Sequence, residues 1–253
     1  MKKIIQFFVL FFCLNLAACS GSPLISSEDT GLLEVQFMHQ DQHAQAIVAD
    51  GTGYKSFSND QGYQITLKEA VINWNQLNLF AQDGQSCAPS PTASLSINRS
   101  EDFLSSDLQP LLLADADLAM QEYCKYQIIV APMVYQNTAK LHEGHGEANA
   151  GLEVSFHFAG DWQKGNSFGS FEILSTKPVF IEDFFRAKEN GEWIVHPMHF
   201  HEGEAKLSLF FTTSYDLLFT QIDFATNNSD QQVLQIEKNL GSHVTQSYID
   251  HAE

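Results

Sequence analysis

Positive charge is scarce in this sequence. Only 13 residues are Lys or Arg against 31 Asp or Glu, for a formal net charge of −18 at pH 7. A chain so acidic repels phosphodiester backbones and anionic bilayer surfaces, which excludes nucleic acid as a partner and favours cations. Catalytic signatures are missing as well. There is no Gly-rich phosphate loop, no nucleophile elbow and no serine-base pattern, so no catalytic residue is expected and the chain reads as a non-enzyme. No repeat recurs at a solenoid period, and strand-like segments do not alternate with helical ones, which excludes a parallel α/β sheet. Cysteine is scarce, with four in the chain.

Long apolar runs are also absent after the amino terminus. There, Lys2 and Lys3 precede an almost wholly apolar stretch from Ile4 to Leu16, and Ala17-Ala18 leads into Cys19. About 13 apolar residues are too few to span a bilayer as a helix, which needs roughly 20. The order of charge, apolar run and small residues is that of a secretory signal over residues 1–18. Leu16-Ala17-Ala18-Cys19 resembles the lipobox of bacterial lipoproteins, which implies cleavage before Cys19 and diacylation of its sulfur. Ser20 stands where an Asp would signal retention at the inner membrane, so the resemblance implies a cell-envelope location, lipid-anchored at the outer membrane. Loss of Lys2 and Lys3 leaves the mature chain two charges more negative. Residues 19–31 are rich in Ser, Gly, Pro and acids and read as a tether, with a folded domain over 32–253.

Export changes the meaning of the cysteines. With Cys13 in the leader and Cys19 at the lipid site, one pair is left in an oxidising compartment, and a Cys87–Cys124 disulfide is expected. Metal-thiolate ligation is the alternative use of that pair.

Roughly 230 mature residues, with 12% aromatics including 20 Phe, supply ample core for one all-β domain or two small ones. Leu33, Val35 and Phe37 alternate with polar neighbours, as do Leu152, Val154, Phe156 and Phe158. Ile65, Leu67 and the run Val71 to Phe80 continue in strand-compatible pattern to a break at Asp83-Gly84. Tyr126 to Val134 is nearly continuous apolar sequence, and Phe171 to Phe180, Trp193 to His199 and Ala205 to Thr213 add three further strand candidates. This spacing predicts an all-β fold, a β-sandwich. One short C-terminal helix is expected, capped by Ser229 with Gln232 at its third position and stopped at Gly241.

Two histidine clusters carry whatever chemistry the pattern holds. His142-Glu143-Gly144-His145 lies in a polar, Gly-marked segment whose backbone can bend round an ion. The histidines are three apart rather than four, and the glycines argue against a helix, so the zinc-protease helix motif is not present. The second cluster, His196-Pro197-Met198-His199-Phe200-His201-Glu202, places His199 and His201 on one side of an extended chain, where two imidazoles can share one ion. Zinc or copper(II) suits neutral imidazole, with carboxylates completing the shell. Met198 would favour copper(I) only if it shared that side, and alternation turns it away. The expected metal set is therefore His142, His145, His196, His199 and His201 with Glu143 and Glu202. His39, His43 and His157 are weaker candidates, and Trp74, Trp162 and Trp193 read as core or rim packing.

The run Gly62-Tyr63-Gln64-Ile65-Thr66-Leu67-Lys68-Glu69-Ala70, the later Leu77-Asn78-Leu79 and the pair Tyr123-Cys124 resemble periplasmic copper-binding proteins of the methanobactin-associated type and their lipoprotein relatives. The resemblance implies a β-sandwich that handles a transition metal outside the cytoplasm, and it transfers no individual residue. The function expected is capture or delivery of a zinc or copper ion, with a metal transporter or envelope protein as partner. A metal-free envelope interaction module and a metal-dependent hydrolase are the alternatives. The first would purify without stoichiometric metal, and the second would show an open coordination position beside a cleft.

Overall fold

The structure is a computed structural model that describes residues 30–134, 153–190, 192–200 and 206–250. The leader, Cys19, most of the tether, and His142, Glu143, His145, His201 and Glu202 lie outside the described residues. The described strands, in chain order, are β1 (Thr30–Gln40), β2 (Lys55–Ser58), β3 (Gln64–Asp83), β4 (Ser86–Cys87), β5 (Ala93–Asp102), β6 (Leu111–Ala119), β7 (Tyr123–Val130) and β8 (Met133–Val134). They continue as β9 (Glu153–Val154), β10 (Phe156–Lys164), β11 (Ser167–Ser175), β12 (Val179–Phe184), β13 (Arg186–Glu189), β14 (Glu192–Val195) and β15 (Lys206–Ser214). Two helices, α1 (Tyr215–Leu218) and α2 (Ser229–His243), precede the last strand, β16 (Val244–Asp250). None of the described helices is long and apolar enough to cross a membrane.

These strands build the expected all-β sandwich with its C-terminal helix. One sheet has the order β16-β15-β1-β6, and the larger one runs β11-β10-β3-β7-β12, with β2, β4 and β5 paired to further lengths of β3. Only β1 and β15 run parallel within the smaller sheet. The alternation read in β1 is what makes it half-buried: Leu33, Val35 and Phe37 face the core while their neighbours are partly exposed. Phe37 meets Trp74 of β3 with ring centroids 4.2 Å apart, and Phe211 of β15 meets Tyr126 of β7 at 5.1 Å. Those contacts cross from one sheet to the other and define the core layer.

β3 organises the larger sheet. Its first half pairs with β10 and its second half with β7, with a register irregularity between Trp74 and Gln76. Ala70, Val71, Ile72, Asn73 and Trp74 are all buried in succession, so alternation lapses where the strand is covered on both faces. Where β10 passes β3, a second irregularity falls between Ala159 and Gly160. A Cβ on Gly160 would lie 2.0 Å from the Thr66 carbonyl oxygen, so only glycine allows this approach.

Several boundaries differ from expectation. The stretch from Phe171 to Phe180 divides between β11 and β12, and Tyr126 to Val134 divides between β7 and β8. The helix is capped by Asn228, whose side chain accepts from Gln231 N while Gln231 reaches back to the Asn228 N–H, so the reciprocal cap sits one residue earlier than expected. Gly241 lies inside α2 and does not end it. Asn239 explains the extension: it is buried and donates to the carbonyls of Leu218 (2.7 Å) and Thr220 (2.8 Å), anchoring the last turns of α2 to the end of α1.

Candidate functional site

The second histidine cluster follows β14, and its backbone explains its shape. Pro197 has no N–H to extend a ladder, and β14 ends at Val195. The chain continues instead as a strap that pairs with the start of β7 and reaches Gly31 of β1. Met198 exchanges backbone hydrogen bonds with Tyr123, at 2.7 and 2.8 Å, and its side chain is fully buried. Phe200, also buried, covers Gly31 so closely that a Cβ there would meet the ring at 2.6 Å. With Met198 and Phe200 turned inward, His196 and His199 are left half-buried on the outer side of the strap.

His201 lies outside the described residues, so the expected pairing of His199 with His201 is left open; residues 196–200 are not a regular strand, although Met198 and Phe200 alternate with His199 in burial. What the structure brings together is His196 and His199, with ring centroids 5.8 Å apart and planes 33° apart. Both rings direct Nδ1 at the same atom, the Pro197 carbonyl oxygen, at 3.0 and 3.3 Å. A carbonyl only accepts, so Nδ1 is the donor in each of these bonds. Orientation of a ligating imidazole by a backbone carbonyl is the usual support of a metal-bound histidine. Met198 faces the core, as alternation implied, and takes no part. Among the described residues, no group of three or more His, Cys, Asp or Glu is placed to hold a metal ion.

The strap is held from behind by the disulfide. Cys87 and Cys124 are bridged, with Cα atoms 5.8 Å apart, as expected. Cys124 adjoins Tyr123, which clamps Met198, and its carbonyl accepts from Phe185 N at 3.0 Å.

A second polar assembly lies inside the sandwich. His39 occupies the inward register of β1 that Leu33, Val35 and Phe37 share, and it is only 3% exposed. Its Nδ1 donates to Glu101 Oε1 at 2.9 Å, and its Nε2 faces Asp107 Oδ1 at 3.2 Å. Lys55 of β2 donates to Asp107 and to the Ser105 carbonyl. Tyr215 Oη and Ile47 N donate to Asp107 Oδ2 at 2.8 and 2.7 Å, and Trp74 Nε1 donates to Glu101 Oε2 at 2.7 Å. Two cations thus meet two carboxylates. Burial alone would depress the His39 pKa, but its hydrogen bonds to Asp107 and Glu101 outweigh that and lift the value to about 9. For Asp107, burial pushes the carboxyl up, yet His39, Lys55, the Ile47 amide and Tyr215 together hold it below its ordinary value. Burial and the Asp107 carboxylate push the Tyr215 phenol far above its usual range. Every member of this tetrad is buried, and it ties β1 of the smaller sheet to β2, β5 and β3 of the larger one.

His157 is neither solvent-facing nor in the strap. It is buried between Glu69 and Glu172, 3.3 Å from Nδ1 and 3.1 Å from Nε2, and links the three neighbouring strands β3, β10 and β11. The carboxylates approach opposite nitrogens and so do not converge on one point. His43 is exposed. Trp74 is core and Trp162 packs against it, whereas Trp193 is largely exposed. Lys55, Glu101, Asp107 and Tyr215 escaped the sequence reading. The one signal for them was the place of His39 on the core face of its strand, since a histidine there requires buried partners.

Comparison of the chain with protein-family models, curated proteins and solved structures returned no match.

Proposed function

We propose that this protein is an extracytoplasmic lipoprotein, tethered through Cys19 at the outer membrane, whose β-sandwich captures or hands on a zinc or copper ion. The observation that carries the metal reading is the juxtaposition of His196 and His199, whose rings lie 5.8 Å apart and both turn Nδ1 to the Pro197 carbonyl. Two imidazoles do not fill a tetrahedral shell. The sequence offers His201, His142 and His145 as further nitrogen donors and Glu143 and Glu202 as oxygen donors. The acidity of the chain supports the same reading, because a negative field raises the local concentration of cations. A metal transporter or another envelope protein is the partner this role calls for.

The test is titration calorimetry with zinc and with copper(II) on mature protein made without a purification tag. The His196→Ala/His199→Ala double variant should bind at least about 10-fold more weakly, equivalent to about 1.4 kcal/mol, with an unchanged circular dichroism spectrum. Equal affinity in the folded variant refutes the site. Fatty-acid labelling of the cells should be lost in Cys19→Ser, and persistent labelling refutes the anchor.

A further inference from the structure

The buried tetrad does more than join two sheets, because its contacts are sorted between the two oxygens of the Asp107 carboxyl. Lys55 brings its amine to Oδ1, and the side chains of this pair are 2% and 0% exposed. His39 Nε2 stands 3.2 Å from the same oxygen, while Glu101 holds the other side of the ring through Nδ1 at 2.9 Å. Oδ2 is served separately: Tyr215 Oη donates to it at 2.8 Å and Ile47 N at 2.7 Å. The Ser105 carbonyl accepts from the Lys55 ammonium and lies 3.4 Å from His39 Nε2, so it aligns both groups beside Oδ1. Aromatic rings close the place off. Tyr215 has its ring centroid 5.5 Å from the Lys55 Nζ, and Phe103 packs on His39 with ring centroids 5.0 Å apart. A nucleophile, a proton donor and two oxyanion donors thus converge on one carboxyl group.

The attraction of a buried ion pair recovers only part of what it cost to take both charges out of water. Condensation to an amide removes both charges at once, and the exclusion of bulk water disfavours the reverse hydrolysis. We propose that Lys55 and Asp107 close an intramolecular isopeptide bond, with His39 as proton carrier and Tyr215 and the Ile47 N–H as the oxyanion site. The bond is independent of the metal reading. Lys55 first passes one ammonium proton to Oδ1 within their hydrogen bond, which leaves a neutral amine beside a neutral carboxyl. The Nζ lone pair then adds to Cγ, and the charge that develops on Oδ2 is met by the Tyr215 O–H and the Ile47 N–H. His39, protonated at neutral pH because its value is raised to about 9, gives its Nε2 proton to the Oδ1 hydroxyl. The Cγ–Oδ1 bond breaks, water leaves, and the proton in excess on Nζ returns His39 to its cationic form. Two of the three ammonium protons are thereby matched by the two that depart with Oδ1, one stays on the amide nitrogen, and nothing is oxidised or reduced. Glu101 touches neither reacting atom and is a positioning residue for the His39 ring. The contacts that hold Asp107 below its ordinary value resist the first proton transfer, so closure follows folding slowly, and the tetrad is ionic until it occurs.

The experiment is mass spectrometry of the mature protein, kept folded in EDTA at pH 7 for several days and then reduced and unfolded for measurement. Its intact mass should be one water below that of its sequence, and proteolysis should release a branched peptide in which Lys55 is joined to Asp107. Lys55→Arg and Asp107→Ala should stay at full mass. Tyr215→Phe keeps the ring and removes one oxyanion donor, and after refolding it should close about 100-fold more slowly than the parent. His39→Gln, checked for folding by circular dichroism, should also be slow with both reacting groups still present. A parent that remains at full mass overturns the proposal whatever the variants do. So does a dehydrated parent whose peptides are all unbranched, which marks a cyclic imide at an aspartate, or a loss of water that persists in Lys55→Arg. Closure at the parent rate in Tyr215→Phe, or in folded His39→Gln, overturns the role given to that residue.

Discussion

Cys124 and His196 are joined through one residue: Phe185 donates its N–H to the Cys124 carbonyl at 3.0 Å and accepts from the His196 N–H at 2.9 Å. Because Tyr123 next door holds Met198 by two further backbone bonds, the Cys87–Cys124 bridge fixes the β7 end against which the histidine strap is laid.

Removing the bridge should therefore act twice. Closing a loop with a sequence separation of 37 restricts the unfolded chain, and its loss in Cys87→Ser/Cys124→Ser should cost about 3–4 kcal/mol. Urea denaturation of the variant beside the oxidised parent measures this. If the bridge also holds the strap, calorimetry on the folded double variant should show weaker zinc or copper binding than in the parent.

The tetrad predicts how stability changes with pH. His39 is raised from 6.5 to about 9, so its contribution is full below pH 6.5, declines above it and is gone past about 9. A shift of that size in a buried group corresponds to a contribution on the order of 3 kcal/mol. Asp107 is held below its ordinary value of 3.8, so its contribution is present above that value and is lost as acid titrates it. Denaturation midpoints across pH should fall on both sides, and His39→Gln should flatten the alkaline fall while the acid fall persists. An alkaline limb that is the same in both proteins would disprove the assignment.

What was legible in the sequence is what short-range pattern controls. Leu33, Val35 and Phe37 revealed both the strand and its buried face, and the two cysteines outside the amino-terminal segment revealed their own bridge. The cap at Asn228 was missed by one residue because Ser229 is an equally good capping residue, and only the contacts of Asn239 decide where α2 ends. Beyond that bridge, long-range pairing was not legible. Lys55 looks like a surface lysine at the start of a short strand, and Asp107 like a loop acid. Their meeting, together with Tyr215 from far along the chain, depends on how the two sheets stack, which no local period encodes. The His196–His199 pair was half visible: the cluster announced itself, but the strap geometry follows from Pro197 and from the pocket that accepts Met198.

Gly160 is a sharper test of the sheet than any core hydrophobe. A methyl group there would lie 2.0 Å from the Thr66 carbonyl oxygen, and the obstacle is backbone in a paired strand, which cannot rotate away. Gly160→Ala should destabilise at the upper end of the about 1–3 kcal/mol typical of overpacking. Gly51→Ala, where a Cβ meets nothing within 4 Å, is the control and should change little. Thermal melts of the two variants side by side decide it.

The last prediction separates attraction within the tetrad from mere burial. Lys55 and Asp107 are both buried and bonded to each other, so Lys55→Met leaves a carboxylate with one cation fewer in a medium where water cannot compensate. Breaking such a pair from one side should cost about 3–5 kcal/mol. Asp107→Asn should be costly as well, because it strands the Lys55 ammonium and weakens the hold on His39. If the two residues act mainly on each other, the double variant Lys55→Met/Asp107→Asn removes both charges together and should be less damaging than the two single losses added, by about 0.5–3 kcal/mol. Additive losses in urea denaturation at pH 6 would mean that Asp107 is held by His39, Tyr215 and the Ile47 amide, and that the Lys55 ammonium is stabilised by the Ser105 carbonyl.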